Sequence, residues 1–196
     1  MLDRLEPAAD VDHEIVDLAD ARAAEEATRR AAGRQGRLDG VVTCAGTDSC
    51  GALADVSGED WDRVVRVNLL GTAAVVRAAF PYLEAAGGRI VTVASTLGLR
   101  ALPHATAYCA SKFGVVGFTR ALAAESAGRV GVTLLLPGGM STGFFDGRPE
   151  EYRPPDPSRL NRPENVAAAV VFVLRQPAGC EVRELVVTPS EEPSWP

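Results

Sequence analysis

Lysine is almost missing from this chain: of its twenty cationic side chains nineteen are arginines, and the one lysine is Lys112. The net charge is −6 and no run of basic residues occurs, so the electrostatic footprint of a nucleic-acid partner is absent. Cysteine is sparse too. Cys44, Cys50, Cys109 and Cys180 form no CxxC pair, and with two histidines they give no metal cluster, so no metal site is expected. The thiols read as reduced and partly buried, as in a cytoplasmic protein. The opening "MLDRLEPAAD" is charged throughout and has no apolar core of a signal peptide. No stretch approaches the ~20 apolar residues of a membrane span, so no membrane partner is expected. Internal repeats and interdomain linkers are also lacking, and residues 1–196 are read as one domain.

What is present is alternation. Short β-branched runs at 13–18, 40–44, 89–95, 131–136 and 184–188 are separated by Ala-rich amphipathic stretches at 20–33, 58–84, 104–127 and 163–175. Near-continuous apolar strands are what burial on both faces of a parallel sheet requires. Ser57 with Asp60 reads as a capping box, and Pro163 with Glu164 as a first helical turn. The fold class expected is therefore α/β, a doubly wound parallel sheet. The Pro-rich, charged segment 143–163 is too long for an ordinary connection and reads as a substrate-side lid or a floppy surface loop.

Ligands of such sheets bind beyond the carboxyl ends of the strands. Ser95 ends one strand, "TCAG" brings Ala45 and Gly46 to the end of another, and "PGGMST" follows a third. Asp17 stands near the end of the first. Asn68 falls within the apolar stripe of helix 58–84; it either braces a neighbouring backbone or faces a wet site, because an unpaired buried amide costs roughly 1–3 kcal/mol. Tyr108 and Lys112 are four apart and share a helix face. An ammonium near a phenol favours the phenolate, and Lys is a compact point charge where Arg is a planar fork.

Together these residues resemble the classical short-chain dehydrogenase/reductase family. Ser95 and Tyr108 differ by thirteen, "YCASK" carries the family's YxxxK, "NLLG" its N-x-x-G, and "PGGMST" its PG turn followed by Thr. "TCAG" stands where the family has NNAG. The family's opening strand–TGxxxGxG–helix–strand has no counterpart, since no glycine precedes Gly33. The resemblance thus implies an N-terminally truncated Rossmann-like fold, with "LDRLEPA" as a short helix and strand 13–18 either pairing directly with strand 40–44 or packing loosely at an edge. It implies an NAD(P)-dependent oxidoreductase interconverting a carbonyl and an alcohol, with NAD versus NADP unreadable and nucleotide binding impaired.

In that reading Tyr108 is the general acid/base and Ser95 hydrogen-bonds the reacting oxygen. Lys112 lowers the tyrosine's pKa and holds the nicotinamide ribose, and Asn68 anchors a relay water. Cofactor contacts fall on Asp17, Leu18, Ala45, Gly46, Tyr108, Lys112, Pro137, Gly138 and Thr142. The partners implied are a small carbonyl or alcohol substrate and further copies of the chain, as a homodimer or homotetramer. Phe144 and Phe145 point to an apolar substrate, and Arg148 and Arg153 to an acidic group on it. The alternative is a catalytically silent relative that serves as a binding or partner protein.

Overall fold

β-Branched runs become strands and Ala-rich runs become helices within a residue or two of where periodicity puts them, except that the run 13–18 is a strand only at Glu14–Ile15. The computed structural model describes residues 1–195. One parallel sheet has the order β3 (Gly40–Thr43), β4 (Arg89–Val93), β5 (Gly131–Pro137), β6 (Glu184–Val187). Crossovers run through α2 (Gly58–Val65) and α3 (Thr72–Ala86), then α4 (Thr106–Glu125), then α5 (Pro163–Leu174). Successive side chains on the strands point to opposite faces. Ile90 and Val132 therefore pack with Val76, Ala79 and Leu83 of α3, while Val91 and Leu135 meet Val166 and Val173 of α5. Both faces are covered, which is the doubly wound arrangement.

The N-terminal region differs from expectation. Leu2–Asp3 is a strand, β1, and it pairs in parallel with β2 (Glu14–Ile15), so "LDRLEPA" does not begin as a helix. Leu2 and Asp3 give β2 a ladder partner, and β2 accordingly forms a separate two-stranded sheet instead of closing onto β3. Helix α1 (Ala21–Gln35) ties this pair to the main layer by packing on α3. Its ends are set locally: Asp20 accepts the N–H groups of Arg22 and Ala23 at 3.0 Å, and Gly36 closes it at φ 68°.

Helices α2 and α3 are one rod, joined by a π-helical turn at Arg66–Gly71. At 29 residues, Gly58–Ala86 is long and apolar enough by composition to cross a bilayer, which the sequence reading had not anticipated. The length arises because two amphipathic segments are fused without a break. In this fold the rod is a layer helix: Val64, Val76 and Leu83 are buried, and Arg66 and Arg77 on its outer side pair with Asp62 and Glu25. Ser57 starts it, accepting the Asp60 N–H at 3.1 Å.

Candidate active site

The carboxyl ends of β3, β4 and β5 open into a cavity of about 950 Å³. Gly46, Ser95, Tyr108, Lys112, Pro137, Gly138 and Thr142 all line it, although they come from four separate parts of the chain. Asp17, Leu18, Ala45 and Asn68 do not. Asp17 instead pairs with Arg63 at 2.9 Å and accepts the Ala19 N–H at 2.9 Å, contacts that hold its carboxyl below the usual range. The carbonyl of Leu18 is pressed against Gly71, where a Cβ would lie 2.6 Å from the oxygen. That close approach is why "NLLG" ends in glycine.

Asn68 is a brace. Its Oδ1 accepts the Thr47 N–H at 2.8 Å, and its Nδ2 donates to the Thr47 carbonyl at 2.9 Å and to Ser111 Oγ at 3.0 Å. The amide thereby fixes the loop after β3, and both of its N–H groups are committed to protein acceptors. The π turn sets this direction, since one extra residue per turn rotates the helix face; such bulges recur at functional sites.

Ser95, two residues beyond β4, is extended and caps the turn Thr96–Gly98 by accepting the Leu97 N–H at 3.1 Å. Tyr108 lies in the first turn of α4, its ring 5.6 Å from that of Phe144. Burial pushes its phenol up to about 12, and Ser95 acts in the opposite direction. Lys112 is buried, donates from Nζ to the Val93 carbonyl at 3.0 Å, and sits 5.6 Å from the Tyr108 ring centroid. Its own pKa falls to about 8 through desolvation. In this state, burial of both groups thus outweighs the expected lowering of the phenol by the ammonium. Gly46 is a neighbour of Lys112: a Cβ there would be in ordinary contact with Nζ, at 3.7 Å.

Three features of the cavity escape sequence reasoning. Arg148 reaches back to Asp48, Nη2 to Oδ2 at 2.8 Å, in a nearly buried ion pair. Its charge is thus already matched, contrary to the expectation that it awaits an acidic substrate. Arg153 donates to the Arg148 carbonyl at 2.7 Å. His104, in "LPHAT" just before α4, lines the cavity at φ 62°, a left-handed conformation that few side chains adopt. Finally, the C-terminal segment folds under the site. Glu192 accepts the Gly139 N–H at 2.9 Å, and Ser194 Oγ meets the buried Thr96 Oγ1 at 2.6 Å. Only the His104 position carries a local signal, a β-to-helix junction; the other two depend on pairs 53 to 100 residues apart.

A sequence model of the short chain dehydrogenase family matches residues 4–153. The 3-oxoacyl-(acyl-carrier-protein) reductase of Thermotoga maritima is 34% identical over 170 residues, 83% of this chain and 69% of the relative. The D-threitol dehydrogenase of Mycolicibacterium smegmatis is 39% identical over 165 residues, 80% of this chain and 64% of the relative. The chain therefore spans about two thirds of the length of these curated relatives. Among solved structures, an alcohol dehydrogenase from Thermococcus sibiricus complexed with 5-hydroxy-NADP superposes with a TM-score of 0.82 at 26% identity, covering 91% of this chain and 74% of that one. The aldohexose dehydrogenase of Thermoplasma acidophilum shares the fold at TM-score 0.86 and 24% identity, covering 96% of this chain and 81% of that one.

Proposed function

The chain belongs to the short chain dehydrogenase family, and from that premise we propose that it is an NAD(P)-dependent oxidoreductase interconverting a carbonyl and an alcohol. The observation carrying this reading is the convergence of Ser95, Tyr108 and Lys112 on one cavity beside the PGG turn. A bound nicotinamide nucleotide would supply or take up the hydride. The residues present fit its nicotinamide half: Gly46, Lys112, Pro137, Gly138 and Thr142 line that side, and Gly139 offers a backbone N–H that Glu192 now holds.

The chain's own groups do the proton chemistry. The Tyr108 phenol, with its pKa near 12, is protonated at neutral pH and so is set to donate to a carbonyl oxygen. Ser95 hydrogen-bonds the same oxygen. Lys112 places a cation at the back of the cavity, and Asn68 keeps the loop after β3 in place. The reading extends to a cytoplasmic homo-oligomer, a dimer or tetramer. It draws on four free thiols and on the exposed Leu70 and Phe113 of the α2–α3 rod and α4. The curated relatives differ in substrate, one named for an acyl thioester and one for a polyol, so only the carbonyl/alcohol class is common to them.

The test is isotopic. Incubation with a ketone and nicotinamide nucleotide deuterated at the transferred position should place deuterium on the carbinol carbon. Alcohol formed without label would refute hydride transfer.

A further inference from the structure

The ion pair near Tyr108 spans 100 residues of sequence, and its two charges act on the phenol in opposite directions, Asp48 raising its pKa and Arg148 lowering it. Asp48 is nearly buried, and its contacts are the Ser49 N–H at 2.7 Å, the Cys50 thiol at 3.1 Å and Arg148 at 2.8 Å. Arg148 in turn lies over the rings of Phe144 and Phe145, 4.7 and 4.6 Å from their centroids. Phe144 is the ring beside Tyr108. The segment that carries these rings is therefore held against the loop after β3 by one matched pair of charges.

We propose that Asp48 is the specificity-determining residue of this cavity: by matching Arg148 it makes the wall over Tyr108 neutral and apolar, so that the site takes uncharged ketones and secondary alcohols and turns away carboxylate-bearing ones. This rests on the carbonyl/alcohol reading of the site. An unmatched arginine next to the reacting carbonyl would be a bidentate carboxylate receptor. With Asp48 present, that capacity is used inside the protein. The remaining charges point the same way, because the cavity lining holds five carboxylates against four cations. Arg159 is matched by Glu191, and Arg153 is engaged with the Arg148 carbonyl. Arg153 is the one cation on the Phe144 side of the lining without a carboxylate partner among the described residues, and its Nε is directed to a protein carbonyl.

The experiment compares 2-pentanone with 4-oxopentanoate, which differs from it by a terminal carboxylate in place of a methyl group. The parent should prefer 2-pentanone at least tenfold in kcat/KM. Asp48→Asn should move that ratio tenfold or more toward 4-oxopentanoate, chiefly through KM. Adding Arg148→Gln should reverse the move. Binding is read separately by saturation-transfer NMR of 4-oxopentanoate, which should label in Asp48→Asn and not in the parent. A parent that handles both ketones equally, or an Asp48→Asn protein with an unmoved ratio and no new NMR binding, would overturn the proposal. The NMR contrast without turnover of either ketone would instead keep Asp48 as the selector and sink the oxidoreductase reading.

Discussion

Lys112 is where the chain's near-total preference for arginine breaks, and its surroundings give the reason. Its Nζ is buried and donates to the Val93 carbonyl at 3.0 Å, a single point contact that a longer, planar guanidinium does not reproduce. Lys112→Arg should therefore keep the charge yet lose activity on the order of a hundredfold, within the range for a misplaced catalytic group. Burial also has a stability cost. With a folded pKa of about 8 against an ordinary 10.5, the lysine binds its proton less tightly in the folded state. The cost is present in full below pH 8 and fades as pH rises to 10.5. Lys112→Met should therefore be more stable than the parent at pH 7 by about 3–4 kcal/mol, at roughly 1.4 kcal/mol per pKa unit, and the difference should shrink by pH 10. Urea unfolding at the two pH values checks this; equal differences would refute it. Tyr108 gives a second pH signature. Its phenol near 12 is the donor form over the neutral range, so alcohol oxidation, which needs the phenolate, should climb with pH through the alkaline range. Carbonyl reduction should not, and parallel profiles for the two directions would contradict this.

At the scale of elements, the strands and helices were legible because their periodicities differ. β4 and β5 are apolar on both faces since α3 and α4 cover one side and α5 the other. β1 was not legible: two residues are too short for any period, and their strand character comes from pairing with β2. The π turn is hidden for a related reason, because the sequence shows a stripe through Asn68 but not the extra residue that turns the amide toward Thr47. The glycine that follows was read as part of a motif, and the structure supplies its cause in the Leu18 carbonyl. Gly71→Ala would place a Cβ 2.6 Å from that oxygen and 2.9 Å from the Leu18 Cβ. It should destabilise the protein by about 1–3 kcal/mol, the usual range for overpacking. Unchanged denaturant unfolding would show that the junction between α1 and the α2–α3 rod is looser than described. That Tyr108 and Lys112 meet in one cavity, like the helices, could be read from spacing, since the two share one helix face. The Asp48–Arg148 pair and the Glu192 and Ser194 contacts could not, because they exist only once distant loops meet.

Across the whole molecule, the hydrogen-bonded framework is in two unequal parts. β5 has a ladder partner at each of its seven residues, Gly131–Leu135 on β4 and Leu134–Pro137 on β6, whereas β1 and β2 pair only with each other over two. Amide exchange should follow this division, slowest at Val132–Leu136 and fastest by orders of magnitude at Leu2–Asp3 and Glu14–Ile15. Uniform protection across both sheets would contradict it. The cavity belongs to the better-paired part: Ser95 follows β4, the PGG turn follows β5, and Tyr108 and Lys112 ride on α4. A rigid frame under the proton donor is what carbonyl–alcohol chemistry needs from this chain. The most direct test is the rate of 2-pentanone reduction, followed through loss of reduced nicotinamide absorbance, in the parent and in Tyr108→Phe. The account predicts measurable turnover by the parent and a loss of about a thousandfold in the variant, within the ~10²–10⁴ expected of a general acid. A Tyr108→Phe protein that turns over as fast as the parent would contradict it.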